Sequence, residues 1–91
     1  MDIQERSGVY ILHPEGDLTI FEAAEFREAL LSLGRHDGPL EIEMSDVERV
    51  DSSGIQLMIA ASQDGRLAVT GMPSAVREKI AGLGCIHLIK T

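Results

Sequence analysis

Tryptophan is absent from the 91-residue chain, and aromatic side chains make up only 3% of it. That scarcity argues against platforms that stack unpaired bases and against aromatic cages for cationic ligands. Basic residues are also few: 8 Lys and Arg stand against 15 Asp and Glu, a formal charge of −7. Such a chain is a poor match for nucleic-acid phosphates or an anionic lipid surface, and suits a partner of positive or mixed surface. No apolar run approaches the roughly 18–20 residues that span a bilayer, so no membrane insertion is expected. The opening Met1-Asp2-Ile3-Gln4-Glu5-Arg6 lacks the basic-then-apolar pattern of a secretory signal. The single cysteine, Cys85, closes no internal disulfide and reads as a small buried hydrophobe. The expected compartment is therefore a reducing cytoplasm. Neither a Gly-x-Gly-x-x-Gly nor a Walker lysine motif occurs, so no nucleotide or other cofactor is expected. His13, His36 and His87 lie far apart, and one cysteine cannot complete a zinc site, so no metal site is expected either.

What is present is an ordinary globular mixture, 44% hydrophobic, enough for one small core and a single domain over residues 1–91. Val9-Tyr10-Ile11-Leu12 reads as a strand, Pro14-Glu15-Gly16 as a turn, and Asp17-Leu18 as a brief return, giving a hairpin. Thr19 and Glu22 have the spacing of a capping box, which predicts a helix starting there. Ala23, Phe26, Leu30 and Leu33 recur at helical spacing until Gly34, and residues 35–39 form a polar connection. Leu40, Ile42 and Met44 alternate with Glu41 and Glu43 as a half-buried strand does. After the polar Ser45-Asp46-Val47-Glu48-Arg49 comes Val50-Asp51-Ser52-Ser53-Gly54, then a run over residues 55–61 that reads as a buried helix. Leu67-Ala68-Val69-Thr70 is a further strand. Ser74 is placed to cap a third helix with Val76, Ile80 and Leu83 on the core side, and residues 86–89 read as a last strand. Strands alternating with short helices predict an α/β fold, a mixed β-sheet of four to five strands with about three helices.

The informative segment is Asp51-Ser52-Ser53-Gly54, at a strand–loop–helix junction. Ser52 fits the N-cap, its hydroxyl accepting from a backbone N–H two or three residues on, worth about 1 kcal/mol. The same position also suits a modification: a phosphoryl group there meets the positive end of a helix dipole. It brings about −1.5 to −2 charges to a loop already holding Asp46, Glu48 and Asp51. Both readings stand on these residues alone. A serine nucleophile is a poor third, because Asp51 is a weak base and the elbow pattern Gly-x-Ser-x-Gly is missing, so no catalytic residue is assigned.

The run from Glu43 through Asp51-Ser52-Ser53-Gly54-Ile55 resembles the signature of STAS domains, the bacterial anti-sigma factor antagonists. Gly16-Asp17-Leu18 is similar to the family's segment before its first helix, and Pro73-Ser74-Ala75-Val76-Arg77 through Leu83-Gly84 to its third helix. The resemblance covers about residues 9–89 and implies the STAS fold. It implies a non-catalytic signalling module whose partner is an anti-sigma factor that is also a serine kinase, with a phosphatase reversing the modification, or another signalling protein. The implied phosphorylation site is Ser52, with Ser53 a secondary candidate. The implied docking surface is Asp17, Thr19, Asp51, Ser52, Ser53, Gly54 and Ile55. The stretch from Leu18 to Glu25 resembles short STAS proteins linked with chemotaxis. A second implication is a regulatory subunit of a lipid-transport ABC system, docked on its ATPase with Ser52 unmodified. Oligomeric state stays open, since an unblunted edge strand offers pairing to another copy.

Overall fold

Ser7 and Gly8 both adopt left-handed backbone, with φ of 54° and 83°. Two consecutive positive φ values are what a two-residue type I′ turn requires, and that turn matches the twist of the strands it joins. It links β1 (Asp2–Arg6) to β2 (Val9–His13) as an antiparallel hairpin in which Arg6 faces Val9. The computed structural model describes residues 1–84 and Ile89. The hairpin expected between Val9–Leu12 and Asp17–Leu18 is thus replaced by one with the strand that precedes it. Glu15–Leu18 is instead a strand of another sheet, β3, and the expected turn at Pro14-Glu15-Gly16 is absorbed into its entry.

The main sheet has the order β1-β2-β4-β6, with β4 (Leu40–Glu43) parallel to β2 and β6 (Leu67–Thr70) parallel to β4. Leu40 and Ile42 are buried while Glu41 and Glu43 are half-buried, the alternation read from the sequence. A second sheet pairs β3 in parallel with β5 (Asp46–Val50). This strand falls where the sequence reading placed only a polar lead-in. The reason is a register shift opposite Gly16 and Asp17, which pair with Val47 and Arg49 and leave Glu48 unmatched. One extra residue puts Val47 and Val50, three apart, on the same buried side and erases the period of two. The mixed α/β class holds, with six strands in two sheets among the described residues.

Three helices complete the described elements: α1 (Ala23–Gly34), α2 (Ser52–Ser62) and α3 (Ser74–Gly82). Their inward residues, Phe26, Leu33, Ile55, Met58, Val76 and Ile80, join Leu12, Leu18, Ile42 and Val69 in one core. Thr19 does not start α1. Its N–H and Oγ1 donate to Glu22 Oε1 at 2.9 and 2.6 Å, closing a tight turn just ahead of a helix that begins at Ala23. Ser74 does not cap α3; Pro73, extended at φ −62° and ψ 152°, takes the N-cap, and its carbonyl accepts from the Arg77 N–H at 2.9 Å. Leu83, expected in the core, follows the end of α3 and is 51% exposed. The expected strand over residues 86–89 and the Cys85 assignment lie outside the described residues, apart from Ile89, which is buried.

Candidate functional site

β3 and β5 run side by side and end together, Leu18 opposite Val50. The chain leaves β3 into a turn at residues 19–22 and leaves β5 into Asp51 and α2, so two junctions distant in sequence share one edge. Three contacts fasten them. The Asp51 N–H donates to the Leu18 carbonyl at 3.4 Å. The Asp51 carboxylate accepts from the Ile20 N–H through Oδ2 at 2.9 Å. Gly54 packs so closely on Leu18 that a methyl group there would collide with the Leu18 carbonyl oxygen and lie 3.1 Å from its carbon.

Asp51 is also the cap of α2. Its backbone is extended at φ −124° and ψ −173°, and Oδ1 accepts from the N–H groups of Ser53 at 2.9 Å and Gly54 at 3.3 Å. Ser52, expected at the N-cap, is the first helical residue instead. A carboxylate with two oxygens can hold both the helix end and the neighbouring turn, which a single serine hydroxyl cannot. Partial desolvation pushes the Asp51 carboxyl up, but the N–H groups of Ile20, Gly54 and Ser53, helped by Lys79, outweigh it and hold it below the usual aspartate range.

The capping groups at the start of α2 are therefore already engaged, and a phosphoryl on Ser52 would meet the helix dipole and the Asp51 charge together. Ser52 itself is exposed, and among the described residues its hydroxyl takes no hydrogen-bond partner. Ser53 is half-buried, and Gly54 and Ile55 are buried, Ile55 to 2% exposure in the core. Those two shape the surface from beneath. Asp17 is held by Arg49, whose Nη2 and Nε lie 2.9 and 3.3 Å from its two carboxylate oxygens. Hydrogen bonding to Asp17, reinforced by that charge, raises the Arg49 guanidinium above its ordinary value.

The edge also carries two residues that sequence reasoning missed. Ile20 and Phe21 are 62% and 91% exposed on the turn before α1. The signal was legible: two large apolar residues fall inside a Thr–Glu capping spacing, outside the helical stripe. Elsewhere, His13 Nε2 lies 2.9 Å from Asp46 and 3.1 Å from Glu43. With Glu15 and Asp46 it gathers one imidazole and two carboxylates within 4.8 Å of one another, a donor set drawn from β2 of one sheet and β3 and β5 of the other that no sequence spacing reveals. Among the described residues, no helix is long and apolar enough to cross a membrane.

Comparison with known proteins gives a consistent picture. A family model described as "Mlab, STAS domain" matches residues 1–90. The fold superposes on the crystal structure of a candidate anti-sigma factor antagonist from Thermotoga maritima with a TM-score of 0.82. That match is at 20% identity and covers 98% of this chain and 82% of that one. A structure of a protein named Mglu aligns with a TM-score of 0.66 at 21% identity, over 82% of this chain and 20% of the other. Likeness at this identity speaks for the fold alone. No curated protein matches the chain.

Proposed function

The chain belongs to the STAS domain family, and on that premise we propose that it is a non-catalytic signalling module, docking a partner protein at the edge where β3 and β5 end and switched by phosphorylation of Ser52. The partner class is an anti-sigma factor with serine-kinase activity, or a related signalling protein, and a phosphatase resets the switch. One observation carries the reading: Ser52 is exposed at the first position of a helix whose end is already capped by Asp51. A kinase reaches such a hydroxyl without opening the fold. The added group, about −1.5 to −2 charges, falls next to the Asp51 carboxylate, on which Lys79 is the cation that acts. Burying that dianion under a partner costs binding, whereas leaving it in water costs the fold almost nothing. Asp17 and Thr19 contribute to the docking surface through the turn they flank, Ser53 borders it, and Gly54 and Ile55 set its height.

The test is a mass measurement on the chain purified from its native host, with and without phosphatase treatment. A gain of one phosphoryl group on the peptide bearing Ser52, lost in Ser52→Ala, is the expected result. Ser52→Asp should weaken partner binding while Ser52→Ala retains it, and both should melt within about 1 kcal/mol of the parent, as an exposed helix-start position allows. An unmodified Ser52 with equal partner affinity in both variants refutes the switch. That outcome would fit constitutive docking on a transporter ATPase through the same surface.

A further inference from the structure

We propose that Phe21, seconded by Ile20, is the apolar anchor of the docking surface, and that it enters an apolar pocket flanked by basic side chains on a partner protein. The inference rests on the docking reading above and adds the residue that supplies the affinity and the kind of surface that receives it.

Phe21 is one of only two phenylalanines in the chain, and it is 91% exposed while the other, Phe26, is wholly buried. Its presentation is built. The Phe21 N–H donates to Thr19 Oγ1 at 3.3 Å, Thr19 Oγ1 donates in turn to Glu22, and the Ile20 N–H is held by Asp51. A ring on a pinned turn loses little entropy on binding, which is the property of an anchor residue.

The surroundings decide among three occupants. On one flank of α1, a cavity of about 340 Å³ is lined by five carboxylates, Asp2, Glu15, Asp17, Glu22 and Glu25, together with Met1 and His13. On the other flank lies a mostly apolar groove shaped by Ala23, Ala24 and Leu57, with Ser53, Gln56 and Arg27 at its polar margin. A second copy would set this acidic cavity against another chain of charge −7, and an anionic membrane would be repelled by it. A protein carrying Lys or Arg beside an apolar pocket is attracted on the acidic flank and covers the apolar one. Ser53, next to Ser52 in the chain, lines the same groove, so a partner seated there lies close to the serine pair.

The experiment replaces Phe21 with a benzophenone-bearing phenylalanine in the native host and compares its photo-adducts with the same probe at Leu31, an exposed residue of α1. Expected is an adduct specific to position 21 with one other protein. That protein, once purified, should bind Phe21→Ala about 30-fold more weakly than the parent, as loss of a hot-spot side chain implies. Leu31→Ala should cost less than about three-fold. Added salt should weaken binding of the parent several-fold. The inference is overturned by unchanged affinity of Phe21→Ala, by salt-insensitive binding, by adducts only with a second copy, by no adduct specific to position 21, or by Phe21-dependent binding to phosphatidylcholine–phosphatidylglycerol vesicles. Ser52→Asp in the same assay keeps the two ideas apart: if it loses affinity while Phe21→Ala does not, the anchor fails and the switch stands.

Discussion

Gly54→Ala is a substitution that helix physics alone would expect to stabilise the protein, because glycine inside a helix costs roughly 0.5–1 kcal/mol relative to alanine. The fold reverses the sign. A methyl group at this position meets the Leu18 carbonyl oxygen, with the Leu18 carbonyl carbon at 3.1 Å and its Cβ at 3.2 Å. That carbonyl is backbone, at the end of β3, and it accepts the Asp51 N–H, so it cannot turn aside as a long side chain could. Relief requires α2 to move off β3 and stretches the contacts that join Asp51 to Leu18 and Ile20. Overpacking of this kind costs about 1–3 kcal/mol, and an unyielding neighbour puts it near the top of that range. Set against the propensity gain, the net loss is about 2 kcal/mol, a fall in Tm of about 8–16 °C for a domain of this size. The assay is thermal and urea unfolding of Gly54→Ala beside Gly82→Ala, a helical glycine of α3 with nothing within 4 Å of the added methyl. Gly82→Ala should gain up to about 1 kcal/mol. If Gly54→Ala is as stable as the parent, the close approach of β3 and α2 is not what positions the site.

Two further expectations follow from the same geometry. Because the folded protein holds the Asp51 carboxyl below the usual aspartate value of 3.8, its contribution is complete above that pH and is lost as pH falls through the lowered value. The stability difference between the parent and Asp51→Asn should therefore be greatest near neutrality and shrink as the pH is lowered below 3.8 in urea titrations; a constant difference would contradict it. Arg66 donates to the carbonyls of His36 at 2.6 Å and Gly34 at 3.2 Å while bound to Asp64, fastening the end of α1 to the start of β6. Arg66→Lys, which keeps the charge but not the planar fork, should lower Tm by a few degrees, and salt should not restore it.

The sequence by itself determined the elements whose burial follows a regular period, the strands at Leu40–Glu43 and Leu67–Thr70 and the stripe of α1, and it marked α2 by an apolar run over residues 55–61, inside the helix that spans Ser52–Ser62. A period of two or of 3.6 is a local property, set by which side of one element meets the core, and it needs no knowledge of the partner element. The strand-to-helix junction at Ser52 was legible from the polar residues between two apolar runs, though not which of them caps the helix. Only the tertiary structure decided that Asp51 rather than Ser52 caps α2, because the carboxylate is recruited by Ile20, 31 residues away in sequence. It also paired β1 with β2, and concealed β5 behind an unmatched Glu48. Pairing, register and shared caps depend on which residues meet across space, and chain order does not encode those distances.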